Sequence, residues 1–366
     1  MIDSLAQSPV CFALYRLPWT DEPILVLQKS GEVEILNNLS DLNGKRGFVL
    51  TPFQHTSIHP GVIIRPDKVA RDWEQIEQAV SALMADNGYR SEAMHEGSGL
   101  GVCGIETDNK QRYAEAFTRF IAPLRQGTFK KLVLSRREVQ TLPEKFSLLT
   151  AFVNACNSYP RMMISLTHTP VTGTWIGSTP EIILSGQENQ WHTVSLAGTM
   201  PMDGEVMPEH WSDKNREEQA FVSEYIRKTI KKFGSKLTEN GPYTARAGQL
   251  VHLKTDFHFY LKKTERLGDI LNELHPTPAV CGLPKQQTYD FILDNEGYDR
   301  SYYSGIIGWL DPQEHTTLYV NLRCMRVSGK QALLYAGGGI LASSTADTEW
   351  EETQHKMNTM KKIITL

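Results

Sequence analysis

The sequence has no CxxC pair, no clustered basic face and no apolar run of the roughly 18 residues a membrane helix needs. Each absence removes a class of protein. The five cysteines, Cys11, Cys103, Cys156, Cys281 and Cys324, are scattered, which argues against a disulfide framework and suits a reduced, cytosolic chain. The apolar start around Val10 to Leu14 carries neither a basic leader nor a small-residue cleavage site, so a cytoplasmic protein is expected. A net charge of -4 over 366 residues does not suit a general nucleic-acid binder, which needs a concentrated basic surface. The run Arg227, Lys228, Lys231, Lys232 and Lys236 reads instead as a solvated helix end. No repeat, low-complexity tract or linker divides the chain. One domain over residues 1–366 is therefore expected, about 1–105 as an N-terminal scaffold and 106–366 bearing the motifs. The stretch from Ser91 to Gly104 reads as a glycine-containing loop.

What remains is an ordinary globular composition, 40% hydrophobic and 22% charged. Apolar spacing predicts helices over Trp73 to Met84, Arg112 to Leu124, Asp213 to Phe233, Ile270 to Glu273, Gln286 to Glu296 and Thr348 to Ile364. Strands are predicted at Lys131 to Val139, Met162 to Thr167, Thr174 to Ser178, Glu181 to Ser185, His192 to Leu196, Tyr303 to Leu310, Thr317 to Met325 and Gln331 to Ala336. Strands often follow one another directly, which favours an antiparallel-rich α+β sheet system over a doubly wound parallel one.

Several constellations could carry chemistry. Glu218 shares the apolar stripe of its helix with Val222, Tyr225, Ile226 and Ile230, so one carboxylate points inward, where it needs a cation, hydrogen-bond donors or a proton. Glu349, Glu352 and Lys356 share a face of the last helix, as either a metal-carboxylate shelf or an i,i+4 ion pair, and Ser344 with Asp347 has the spacing of a capping box. Gly337 to Gly339 read as a turn ending a strand, its amides open to an anion. Arg323, alternating with Leu322 and Cys324 along the predicted strand Thr317 to Met325, could hold a carboxylate with its guanidinium fork. Glu181 follows a proline-fixed strand entry, and Leu196 to Thr199 reads as a small-residue turn.

Singly these features are ordinary, but their order is informative. Lys131-Leu132-Val133-Leu134-Ser135-Arg136, Ser178-Thr179-Pro180-Glu181, Leu196-Ala197-Gly198-Thr199, Lys214 with Glu218, His275-Pro276-Thr277-Pro278-Ala279, Gly337 to Gly339 and Glu349-Trp350-Glu351-Glu352-Thr353 occur in series. The series resembles the chorismate-utilising enzymes, among them isochorismate, salicylate, anthranilate and aminodeoxychorismate synthases, from about Ala114 to Lys361. The resemblance implies large antiparallel β-sheets packed as a sandwich with helices outside. It implies Mg2+ held by Glu218 and Glu352 with Glu349 close by, Lys131 as general base and Glu181 as general acid. It places Gly198, Thr199, His252, Tyr303, Arg323, Gly337, Gly339 and Lys356 around the substrate, chorismate.

The resemblance also bears on the reaction. Aminodeoxychorismate synthases usually carry a nucleophilic lysine where Ala197 stands, and anthranilate synthases a glutamine where Lys131 stands. Lysine favours water as nucleophile, so isochorismate is the expected product and no glutamine amidotransferase partner is expected. The metal-helix motif departs from many members in having Gln219 where they have His, and Gly338 stands where Ala is common. Salicylate synthases share Lys131, Glu181 and both metal carboxylates, and a non-catalytic chorismate sensor is the reading from another class. Menaquinone, siderophore and salicylate routes all draw on isochorismate, and the sequence does not choose among them. A monomer is implied by the resemblance.

Overall fold

The computed structural model describes residues 1–85, 110–202, 205–208 and 210–365. The loop expected at Ser91 to Gly104 lies outside the described residues. Two nine-stranded sheets form the frame, each with every neighbouring pair antiparallel. The first runs Gly282–Leu283, Lys131–Thr141, Gln331–Ile340, Cys324–Ser328, Gly173–Thr179, Met163–Thr169, Cys11–Arg16, Pro23–Gln28, Lys68–Arg71. The second runs Gly234–Ala247, Leu250–Leu261, Gln190–Pro201, Ile182–Gln187, Thr316–Val320, Ile306–Leu310, Gly47–Leu50, Gly61–Ile64, Glu34–Leu36. Strands from the first 85 residues thus occupy one end of both sheets.

Alternation along each strand sorts its side chains into layers. Ala13 and Tyr15 of the first sheet join Ile307 and Tyr319 of the second in a core between the sheets, with Trp175, Tyr303 and Tyr335. The interleaved Phe12 and Leu14 face outward, onto the helices Leu148–Ser158 and Ala346–Thr365. Leu318 and Val320 face the other way, onto Asp213–Phe233 and Leu267–Leu274. The expected antiparallel sandwich with helices outside is what the chain forms. Among the described residues, no helix is long and apolar enough to cross a membrane.

The structure corrects several local expectations. Thr317 to Met325 is not one strand. The chain leaves the second sheet after Val320, turns through Arg323 at φ 45°, and enters the first sheet at Cys324. Gly337 to Gly339 are not a turn, because they continue the Gln331–Ile340 strand and pair with Ser135 to Val133. Leu196 to Thr199 lies within the Gln190–Pro201 strand, where Gly198 (φ 73°) forms a bulge. The strand expected from Tyr303 begins at Ile306, and Thr345 rather than Ser344 takes the capping amide, that of Thr348. The long hairpin Gly234–Ala247 with Leu250–Leu261 had no counterpart in the sequence reading. Its first strand is largely exposed, which blurs the alternation that would have revealed it.

Candidate active site

The chain crosses between the two sheets at Thr179 to Glu181 and again at Asn321 to Arg323, and the crossings hold each other. The amide of Val320 donates to the Glu181 carbonyl at 2.9 Å, that of Ser178 to the Arg323 carbonyl at 3.1 Å, and the Thr179 hydroxyl to the Val320 carbonyl at 2.6 Å. Glu181 and Arg323 are thereby set side by side on one buried cavity. That cavity is also lined by Gly198, Thr199, Glu218, His252, Tyr303, Gly337, Gly339 and Lys356. Every substrate contact expected from the sequence meets here, together with Glu181 and Glu218.

The strands beneath the cavity explain the glycines. Ser135 and Val133 turn their amides away from Gln331–Ile340, toward Glu296 Oε1 (2.7 Å) and the Cys281 carbonyl (2.7 Å). Gly337 and Gly339, opposite them, must therefore also turn their amides and carbonyls away from the shared ladder. Pairing on that outer edge runs only as far as Leu334 opposite Met325, because the chain then departs through Arg323. The open edge faces the cavity, and Lys356 Nζ donates to the Gly337 carbonyl there at 2.9 Å. Strand geometry, not a turn, gives these glycines free amides.

The missing side chains matter as well. A Cβ on Gly339 would lie 2.0 Å from Glu218 Oε1, and one on Gly337 2.8 Å from Tyr303 Oη. On the opposite face, a Cβ on Gly338 would stand 3.2 Å from Glu352 Oε1 and 3.4 Å from Glu349 Oε2.

Charges in the site are paired. Lys131 Nζ, fully buried, lies 2.9 Å from Glu218 Oε1. Lys356 Nζ lies 2.7 Å from Glu352 Oε1, and Lys214 Nζ 2.5 Å from Glu349 Oε1. Burial pushes the Glu218 carboxyl up, but the ammonium groups of Lys131, Lys214 and Lys356 outweigh it and leave the group below the usual range. Among the described residues Glu181 has no ion pair, only the Thr277 hydroxyl at its carboxyl. Burial, only partly opposed by Lys131, Lys356 and Arg323, pushes it up to about 7. Burial likewise lowers Arg323, to about 10, well above neutrality. His252 is driven well below its ordinary value by burial and by Arg323 and Lys356, so its ring is neutral. The neutral ring accepts from Arg323 at Nε2 (2.6 Å) and sits 3.0 Å from the Gly198 carbonyl at Nδ1, which assigns the proton to Nδ1. His252 therefore aims the guanidinium.

The fit to a divalent cation rests on the glutamates. Among the described residues, no group of three or more ligating side chains gathers around one point. Mg2+ needs fewer, since it keeps waters and is commonly held by one or two carboxylates plus substrate oxygens. Glu349 Oε2 is buried without a hydrogen-bond partner. Burial and the neighbouring Glu352 both push the Glu349 carboxyl up, against the pull of Lys214. Such a pair of carboxylates suits a cation.

Sequence reasoning missed the partner of Glu349. Lys214 precedes Glu218 by four residues, so helical spacing already set both on one face. It also missed the apolar wall of Val133, Leu196, Val280, Leu322 and Tyr335, which only the assembled sheets reveal.

A family profile described as chorismate binding enzyme matches residues 49–365, and the chain belongs to that family. The isochorismate synthase EntC of Escherichia coli K12 is 30% identical over 209 residues, 54% of this chain and 54% of its own length. The chain thus matches about half the length of that curated relative. Among solved structures, a chain described as a 2,3-dihydroxybenzoate-specific isochorismate synthase, DhbC from Bacillus anthracis, superposes with TM-score 0.79 at 22% identity, covering 99% of this chain and 97% of that one. MenF, the menaquinone-specific isochorismate synthase of Escherichia coli, superposes with TM-score 0.76 at 20% identity, covering 98% and 89%. At such identities the superpositions establish the fold alone.

Proposed function

We propose that the chain is an isochorismate synthase, converting chorismate to isochorismate with Mg2+. One observation carries the reading: on a single buried cavity, a carboxyl raised to about 7 at Glu181 stands with two cations of the lining, Arg323 and Lys356, and within electrostatic reach of Lys131, which is buried against Glu218 behind the wall. Chorismate brings two carboxylates and a hydroxyl that leaves poorly without a proton. Arg323, aimed by His252, holds the enolpyruvyl carboxylate with the amides of Gly337 and Gly339, and Lys356 attracts the ring carboxylate. Glu218 and Glu352 would hold Mg2+, with Glu349 beside them. When bound, the metal neutralises and orients the ring carboxylate.

Lys131 acts in its neutral amine form, having released the proton it holds when paired with Glu218, and takes a proton from a water as that water's oxygen bonds to C2. The ring double bond shifts, the C4–O bond breaks, and Glu181 gives its proton to the departing hydroxyl, which leaves as water. A base and an acid used together lower both barriers. Ala197 on the cavity wall offers no amine for a covalent route, and Lys131 suits water rather than ammonia. The reading carries with it a cytoplasmic monomer acting on a small molecule, without nucleic acid, membrane or amidotransferase partner.

The test is to incubate the purified protein with chorismate and Mg2+, with and without ammonia, and separate the products. Isochorismate is expected in both cases. Salicylate with pyruvate, anthranilate, or no turnover would each overturn the proposal.

A further inference from the structure

A second cleft adjoins the cavity from outside. Pro180 and Leu196 line both, and the outer one is completed by Trp19, Arg161, Tyr243, Ala247, Arg246 and Lys254. Its floor touches the inner site. The Ala247 carbonyl accepts from Arg323 at 3.1 Å, and Met162, next to Arg161, brings its sulfur within 3.6 Å of the same guanidinium. The outer arginine is thus the chain neighbour of a methionine whose sulfur touches the inner, carboxylate-binding arginine.

The wall chemistry is specific. Arg246 is paired with Glu205, with NH2 2.9 Å from Oε1, and Lys254 lies 2.9 Å from Asp256. Asp256 also accepts from Tyr243 and meets His192 at 2.8 Å. Among the described residues Arg161 makes no ion pair, though its charge reaches Glu205; its guanidinium lies 5.2 Å from the centre of the Trp19 ring. Trp19 is 70% exposed and sits at φ 63°, a conformation a bulky side chain seldom adopts. Its amide is tied to the Pro160 carbonyl at 2.8 Å, and Arg16 donates to the carbonyls of Cys156, Tyr159, Pro160 and Met162. The Trp19–Arg161 pair is therefore held in place over the cleft although it is exposed.

We infer that this cleft is an outer binding site for a cyclic dicarboxylate, in which Arg161 and Trp19 capture the dianion before Arg323 receives it. The inference rests on the proposed substrate class. A chain of net charge -4 repels a dianion at long range, and a cationic mouth with an aromatic face reverses that locally. A ligand carboxylate on Arg161 would stand at the cleft that shares Pro180 and Leu196 with the inner cavity, with its ring stacked on Trp19.

The test compares wild type with Arg161→Gln, Arg161→Glu, Trp19→Ala and Arg125→Gln, the last an exposed control at the end of the helix Lys110–Arg125. Initial rates with chorismate and Mg2+ are measured from low salt to about 1 M, where the Debye length falls to about 3 Å. Arg161→Gln is expected to lower kcat/KM about 3- to 10-fold at low salt, with kcat unchanged and the variants converging at high salt. Arg161→Glu does more, Trp19→Ala loses kcat/KM at every salt, and Arg125→Gln matches wild type. Equal kcat/KM and equal salt slopes for wild type and Arg161→Gln overturn the inference, as does an equal loss in Arg125→Gln. Calorimetric binding of chorismate to the same proteins separates the failures. Binding that weakens with Arg161→Gln, in a protein that makes no isochorismate, overturns the reaction and keeps the capture site. No binding at all overturns both.

Discussion

Replacing Gly339 by alanine tests the site's geometry with a single methyl group. The backbone tolerates the change, since Gly339 lies in a regular strand without positive φ. Space does not. The new Cβ would stand 2.0 Å from Glu218 Oε1, 2.6 Å from its carboxyl carbon and 3.1 Å from Lys131 Cε, whereas ordinary contact begins near 3.4 Å. Glu218 must retreat by roughly 1.4 Å, drawing away from an ammonium now 2.9 Å distant. A displacement of about 1 Å in a catalytic group costs on the order of 10²-fold in rate, and overpacking costs about 1–3 kcal/mol of stability. Gly339→Ala should therefore lose about 100-fold in kcat while still folding, with a melting temperature only a few degrees lower. Gly338→Ala, whose Cβ meets nothing closer than 3.2 Å, should stay within a few-fold of wild type. Isochorismate formation by chromatography and a thermal melt give both numbers. Wild-type turnover by Gly339→Ala, or an equal loss in Gly338→Ala, would refute the reasoning.

Other expectations follow from the charges. Because Glu181 is raised to about 7 and acts as an acid, kcat should fall as pH rises through that value, and Glu181→Gln should abolish turnover. The same raised value means the protonated form stabilises the fold below the ordinary carboxyl range, and that contribution fades as pH rises through about 7. Glu181→Gln should accordingly melt higher than wild type at pH 8, and an equal or lower melt contradicts this. Replacing His252 by alanine removes the acceptor 2.6 Å from Arg323; KM for chorismate should rise about 10-fold, consistent with a lost hydrogen bond to a charged group, with little change in kcat. Chelation should abolish turnover and added Mg2+ restore it, and Glu218→Gln and Glu352→Gln should each need more Mg2+ for half-maximal rate. Unchanged Mg2+ dependence in both would remove them as ligands.

The sequence made most of the helices and the inward Glu218 legible because both follow from apolar spacing along one element, although the helices Ile2–Leu5 and Leu148–Ser158 were not expected. The strand expected at Lys131 to Val139 formed, and its alternation sets Lys131, Val133 and Ser135 on the face that meets Gly339, the cavity and Gly337. Arg323 was misplaced on a strand for a physical reason. Thr317 to Met325 is buried along nearly its whole length, its polar Asn321 and Arg323 included, so periodicity gives no sign that the chain changes sheets midway. The glycines were read as a turn because three in succession usually break a strand; here the absent Cβ atoms of Gly339 and Gly337 make room for Glu218 and Tyr303. The outer cleft depends on Trp19, Arg161 and Tyr243 meeting across distant segments, and no local pattern announces that.

The central claim is that Lys131 activates water for attack on chorismate. Turnover in heavy-oxygen water, followed by mass spectrometry of the isochorismate formed, tests it directly. The account predicts one solvent oxygen in the new ring hydroxyl with wild type and no product with Lys131→Ala. Isochorismate free of solvent oxygen, or undiminished labelled product from Lys131→Ala, would contradict it.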